Sequence, residues 1–181
     1  EPLAELLLKL TDKEPKVFAE KFINVEKEVE TIEEALLGAR DIIAENIADD
    51  AAIREEIRKI AWADASIVSS VRKGAEDQRK VFGNYYDYNE PLKRIVPHRT
   101  LALNRGEKEG VLRLSVSFPE ERIIGVMTRQ LIRKPHSPSA TQLEEAIQDS
   151  FKRLIAPSIE REIRTTLTEK AEEQAIHVFS E

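Results

Sequence analysis

Three tyrosines, Tyr85, Tyr86 and Tyr88, stand within a few residues of Arg79, Lys80, Lys93 and Arg94. Aromatic faces beside cations can stack on unpaired bases while the cations neutralise phosphate. The same rings can instead pack beneath a turn, with their hydroxyls satisfied at the surface. Further on, Pro97-His98-Arg99 and Arg105-Gly106-Glu107 offer two guanidinium groups suited to charge-assisted bonds with phosphate. Those groups can equally pair with Glu107, Glu109 or acidic helices. Arg94, Arg99, Arg105, Lys108 and Arg113 are the candidate nucleic-acid contacts. Their targets would be phosphates, because the segment shows no base-reading pattern.

Charge supports this reading without deciding it. The chain carries a net charge of −6, yet residues 93–136 hold ten Lys/Arg against four Asp/Glu. Such contrast hints at a surface for nucleic acid or an acidic partner. A basic segment docked on acidic helices of the same domain gives the same pattern.

Other chemistries find little here. There is no GxGxxG, P-loop, GxSxG or HExxH pattern. With no Cys, disulfides, thiolate zinc sites and a cysteine nucleophile are excluded, and a reducing, cytoplasmic setting fits. His98, His136 and His177 fall in different elements. Adjacent carboxylates such as Glu33-Glu34 and Glu172-Glu173 point different ways on a helix and suit a solvated face. The expectation is a chain without catalytic activity, metal or cofactor. No apolar run approaches the ~20 residues that span a bilayer, so no membrane partner is expected. The chain starts at Glu1 without an initiator Met, which suggests a piece of a longer protein.

The elements that must position these residues are mostly helical. Pro2 and Pro15 can each open a short helix, the second carrying Val17, Phe18 and Phe22. Thr31 with Glu34 forms a capping box ahead of a helix over 32–47. Asp49 or Asp50 can cap the next helix, with Ile53, Ile57, Ile60, Ala61 and Ala65 buried, and the brief break predicts a helical hairpin. Lys73 to Asp77 reads as a loop. Asn89 is a plausible cap for a short helix through Ile95. A helix from Pro97 would follow, with Gly106 as its left-handed stop. That pair can be read as helix-turn-helix-like.

Residues 110–118, GVLRLSVSF, form the clearest strand, to be paired with the 68–86 region. Arg122 to Met127 can return as a hairpin, or Pro119-Glu120-Glu121 can start a helix carrying Ile123, Ile124, Met127 and Leu131; the 3.6 period, continuing through Gln130 to Arg133, favours the helix. KPHSPSA, from Lys134 to Ala140, reads as a linker. Thr141 with Glu144 is a second capping box. Pro157 should break or kink the next helix, and a long one over 158–179 ends the chain. Glu160 and Arg164 are spaced for an i,i+4 pair.

The segments NYYDYNEPLKRIVPHRTLALNRGEKEG (84–110), EKFINVEKEVETIEEALLGARDIIAENIADDAAIREEIR (20–58) and FKRLIAPSIEREIRTTLTEKAEEQAIHVFSE (151–181) resemble the bacterial Tex proteins, the transcription accessory factors. The resemblance covers nearly the whole chain. It implies the mainly α N-terminal region of a Tex protein, upstream of an RNase H-like module, with helix-turn-helix-like elements, a small β element and a long C-terminal helix. It implies a single helical region over 1–181, with a possible subdivision into an acidic part (1–92), a basic part (93–136) and long helices (137–181). The expected role is a non-catalytic scaffold that positions downstream RNA- or DNA-binding modules and adds phosphate contacts. The alternative is a protein-interaction platform contacting transcription or translation machinery.

Overall fold

The computed structural model describes residues 1–180 and is 69% helical. The expected class is present: mainly α, with a small sheet and a long C-terminal helix. Contacts gather the chain into two units. One holds residues 1–57 and 120–157; the other holds 58–119 and the chain from 158 onward.

In the first unit, α1 (Pro2–Leu8) buries Leu3, Ala4 and Leu7. α2 (Pro15–Ala19) also starts on proline, but it turns Pro15 and Ala19 inward and leaves Val17 52% exposed. α3 (Ile32–Asp49) starts at the predicted capping box. Thr31 Oγ1 accepts the Glu34 N–H at 3.1 Å, and Glu34 Oε2 accepts the Thr31 N–H at 3.2 Å. Each side chain answers a backbone donor that the first turn leaves orphaned. Thr31→Ala is expected to lower stability by about 1 kcal/mol. An unchanged denaturant midpoint would show that the box contributes nothing.

Asp50 caps α4 (Ala51–Asp64), its Oδ1 accepting the N–H groups of Ala52 and Ile53 at 2.9 and 3.0 Å. The hairpin of α3 and α4 does not form; α3 packs on α1, α2 and α7 instead. A single intervening residue is too short to reverse the chain between side-by-side helices, which takes a loop of about 2–5 residues.

α6 (Glu120–Leu131) confirms the helical reading of that stretch and buries Ile123 and Met127. The proline-serine segment after it is no separator. Both flanks belong to the same unit, and the buried Ser137 hydroxyl donates to the Thr11 carbonyl. α7 (Ala140–Asp149) starts one residue before Thr141, so the second capping box does not form; Ser139 holds the cap position without a side-chain bond.

Pro157 does not break the helix either. Residues Ser150–Ile155 widen into a π-helix, with the Ala156 N–H reaching back to the Phe151 carbonyl. The helix then runs on as α8 (Ala156–Ser180). The wider turn accommodates a ring that would otherwise meet the carbonyl four residues earlier. Ser150 Oγ donates to the Ala44 carbonyl at 2.7 Å inside this core. Arg40 adds a tie from α3 to Gln142 and Glu145 of α7, at 2.6 and 3.3 Å.

The second unit holds the sheet, in order β2-β1-β3 and antiparallel throughout. β1 (Ser66–Val71) is central, β2 is Asp87–Pro91 and β3 is Leu112–Ser117. β3 alternates as its sequence predicts, with Leu112, Leu114 and Val116 buried. Its partner lies at the start of the expected region. β2 was not expected: Asn89 lies within a strand and caps no helix. Only Leu92–Arg94 turn helically before α5 (Pro97–Lys108), so the first helix of a helix-turn-helix is not built there.

Gly106 lies inside α5 rather than ending it. The left-handed stop is Gly110, at φ 76°. The Val111 N–H reaches the Gly106 carbonyl at 3.0 Å and the Gly110 N–H reaches that of Glu107 at 3.1 Å, the paired bonds of a Schellman ending.

The predicted Glu160–Arg164 pair does not form. Glu160 Oε1 accepts the Val116 N–H at 2.7 Å. Arg164 instead forks onto Glu107 at 2.7 and 3.3 Å and reaches Asn104 Oδ1 at 3.2 Å. Asn104 also donates to Thr168 Oγ1 at 2.9 Å. These bonds latch α5 to α8.

Candidate nucleic-acid interface

All five candidate cations belong to the second unit. Arg94 ends the short turn after β2, α5 carries Arg99, Arg105 and Lys108, and Arg113 lies on β3. The rest of the basic segment, residues 120–136, belongs to the first unit.

The candidates divide by what they touch. Arg99 is drawn inward: its Nη1 donates to Glu90 Oε1 at 2.6 Å. Glu90 is 9% exposed on the inner face of β2, where an unpaired carboxylate would be costly. Tyr88 donates its hydroxyl to the other Glu90 oxygen. Arg105 pairs with Glu109 at 3.0 Å along the exposed face of α5. Arg94, Lys108 and Arg113 are exposed and make no hydrogen bond or ion pair among the described residues. Arg113 stands on the outward face of the sheet, in register with Ser70 and, across β1, Asp87.

The tyrosines follow the internal reading. Tyr85 and Tyr88 meet edge to face, with centroids 5.1 Å apart and planes at 88°. Ser69 Oγ, buried under the sheet, donates to the Tyr85 carbonyl at 2.7 Å. Tyr86 donates to Asp77 Oδ2 at 2.6 Å. Asp77 also accepts the N–H groups of Val81 and Phe82, each at 3.0 Å. The Tyr86 hydroxyl, followed by those N–H groups, holds the Asp77 carboxyl below its ordinary range. The same bond raises the Tyr86 phenol. Asp77 thus ties a loop in which Arg79 and Lys80 take left-handed backbone, at φ 70° and 51°.

Burial first, and then the bond to Glu90, push the Tyr88 phenol up to about 12 from 10.0. A phenol whose pKa is raised by folding supports the fold below its unfolded value and stops doing so as pH climbs through the folded one. Stability is therefore expected to hold to about pH 10 and to fall between 10 and 12. Tyr88→Phe should flatten that fall. Thermal midpoints across this range check it, and identical profiles for the two proteins would refute the assignment.

Sequence reasoning passed over Trp62, which is half-buried on α4 and has Lys170 Nζ 5.0 Å from its ring centroid. Its only local signal was Arg58 and Lys59 one turn earlier. No three His, Asp or Glu side chains come together to hold a metal among the described residues. No described helix is long and apolar enough to cross a membrane.

With both units and the candidate cations placed, a family model gives the chain its relatives. The Tex central region-like model matches residues 11–179, and the chain belongs to the Tex family. It is 46% identical over its full length to the uncharacterized protein YdcI of Bacillus subtilis. It is 35% identical to protein YhgF of Escherichia coli and 30% identical to the transcriptional accessory protein Tex of Neisseria gonorrhoeae, over 99% of its length in each case. The chain spans 26% of YdcI and 24% of the other two, about a quarter of each.

Proposed function

We propose that this chain is a non-catalytic scaffold within a cytoplasmic, nucleic-acid-binding transcription accessory protein. It holds RNA- or DNA-binding modules that lie elsewhere in the parent and adds phosphate contacts of its own. The observation that carries the reading is the division of its cations. Arg99 and Arg105 are engaged by Glu90 and Glu109, whereas Arg94, Lys108 and Arg113 stand exposed with no partner among the described residues. On this reading the latter three make the main contacts, and Arg99 and Arg105 add to them only by exchanging partners.

Phosphate contacts release counterions, so affinity should fall with salt by a log–log slope of roughly −0.7 per contact on single strands. Removing Arg94, Lys108 and Arg113 together should weaken binding to all sequences alike and make that slope shallower by roughly 0.7 per lost contact. Labelled RNA and DNA should stay intact with Mg²⁺ or Mn²⁺. A triple variant with unaltered affinity and slope would remove the phosphate role. Cleavage that co-purifies with the protein and disappears on carboxylate substitution would remove the non-catalytic one.

A second reading is a protein-interaction platform for transcription or translation machinery. Ile176, Val178 and Phe179 favour it, since these α8 side chains are 68%, 67% and 90% exposed.

A further inference from the structure

Trp62 is the only tryptophan in the chain, and it is not sealed into the core. It borders two hollows of the second unit. One, of about 390 Å³, is floored by Leu92, Ile95 and Ala171 and carries Lys93 and Lys170. The other, of about 650 Å³, is lined by Arg58, Ser158, Arg161, Glu162, Thr165 and Thr166. Trp62 lines both.

The charge around the indole is mostly positive. Arg58, Lys93, Arg161 and Lys170 line the hollows against a single carboxylate, Glu162. Arg58 occupies that carboxylate with a two-pronged pair at 2.8 and 3.2 Å. Lys93 and Arg161 make no hydrogen bond or ion pair among the described residues, and Lys170 stands over the ring. Glu169, Glu172 and Glu173 of the same helix line neither hollow. In a chain of net charge −6, this is a local excess of cations around a half-buried indole that borders both hollows. Hydroxyls at Thr165 and Thr166 add groups able to donate to phosphate oxygens.

We propose that Trp62 and the two hollows form a stacking platform for single-stranded nucleic acid. An unpaired base lies against the indole, and the flanking phosphates run towards Lys93 and Lys170 on one side and Arg161 on the other. A duplex keeps its bases within its own stack and cannot offer one to the ring. An acidic peptide would satisfy the cations but leave the indole face unused. The proposal rests on the reading that this region contacts nucleic acid, and it adds to the phosphate contacts of Arg94, Lys108 and Arg113 a base-stacking site on the face of α4 and α8.

The sole tryptophan makes the test direct. The 181-residue chain is titrated with oligouridylate and oligothymidylate while Trp62 fluorescence is followed, with a matched duplex and polyglutamate as competitors. Expected results are saturable quenching by the single strands, poor competition by the duplex and by polyglutamate, and affinity that drops with salt. Trp62→Ala, read by an end-labelled oligonucleotide, should bind roughly five- to hundredfold more weakly, while Trp62→Phe keeps most of the affinity. Lys93→Glu with Lys170→Glu should weaken both binding and quenching. The Arg94, Lys108 and Arg113 triple variant separates the two readings. If it weakens affinity but leaves the quench at saturation intact, both stand. If oligonucleotides bind without quenching and Trp62→Phe and Trp62→Ala change nothing, the platform is wrong and the phosphate reading survives. If no oligonucleotide binds at all, both fall. If polyglutamate quenches as well as the single strands do, the site belongs to an acidic protein partner and the proposal is overturned.

Discussion

Phe151→Ala is expected to destabilise the chain by about 3–5 kcal/mol, against a usual total of roughly 5–15 kcal/mol for a folded domain. Phe151 is 2% exposed and lies in the widened turn between α7 and α8, a segment that packs on α3 and α7. Truncating the ring removes its transfer free energy and leaves a cavity. The surroundings have little freedom to collapse, because Ser150 next to it is fastened to the Ala44 carbonyl. Phe151→Leu keeps most of the volume and should cost far less, about 1.5 kcal/mol or below. Denaturant midpoints for the two variants check this. Equal midpoints would show that volume at this position is not what holds the unit together.

Gly106→Ala should also destabilise, although alanine is the better helix former by about 1 kcal/mol. A Cβ at Gly106 would lie 2.4 Å from Leu112 Cδ1, 2.7 Å from its Cγ and 3.1 Å from Phe82 Cδ1. Neither neighbour can swing away, since Leu112 is 0% and Phe82 3% exposed. Overpacking of this kind costs about 1–3 kcal/mol and outweighs the helical gain. Leu112→Ala alone should cost about 2–5 kcal/mol. In the double variant the new methyl partly fills the vacated space, so the two losses should sum to less than their separate values. Strict additivity, or a stabilised Gly106→Ala protein, would show that α5 and β3 do not meet as closely as the geometry states.

Gly106 also shows where sequence reasoning ran short. A glycine near the end of an amphipathic stretch reads as a stop, and only the close approach of β3 reveals its other use. Thr31 and Glu34 were legible because both partners of the box lie within one turn. β3 was legible because its alternation is strong. β2, with the sequence DYNEP, has weak strand character of its own and is a strand because β1 lies beside it. Thr141 and Glu144 have the right spacing, yet the chain enters α7 one residue too early to use it. Glu160 and Arg164 sit one turn apart, but each finds a better partner far away in sequence, a strand N–H for one and a Glu107–Asn104 pair for the other.

The candidate site divides the same way. That cations cluster over 93–136 can be read from composition. Which of them remain available depends on where Glu90 and Glu109 are carried by the fold. Trp62 gave almost no signal, because its surroundings come from Leu92 to Pro97 and from α8, segments far apart in the chain.

The bond from Glu160 to the Val116 N–H has a consequence for how the protein behaves among its copies. β3 is an outer strand with one neighbour and an apolar alternating sequence, the kind that invites a foreign strand to add itself and begin aggregation. The carboxylate occupies one of the backbone donors that such a strand would need. An incoming strand would have to displace it to reach that N–H. The opposite rim is guarded differently: β2 carries Asp87, and Pro91 has no N–H to offer. Among the described residues the sheet has three strands, and each of its borders carries a feature that hinders a fourth.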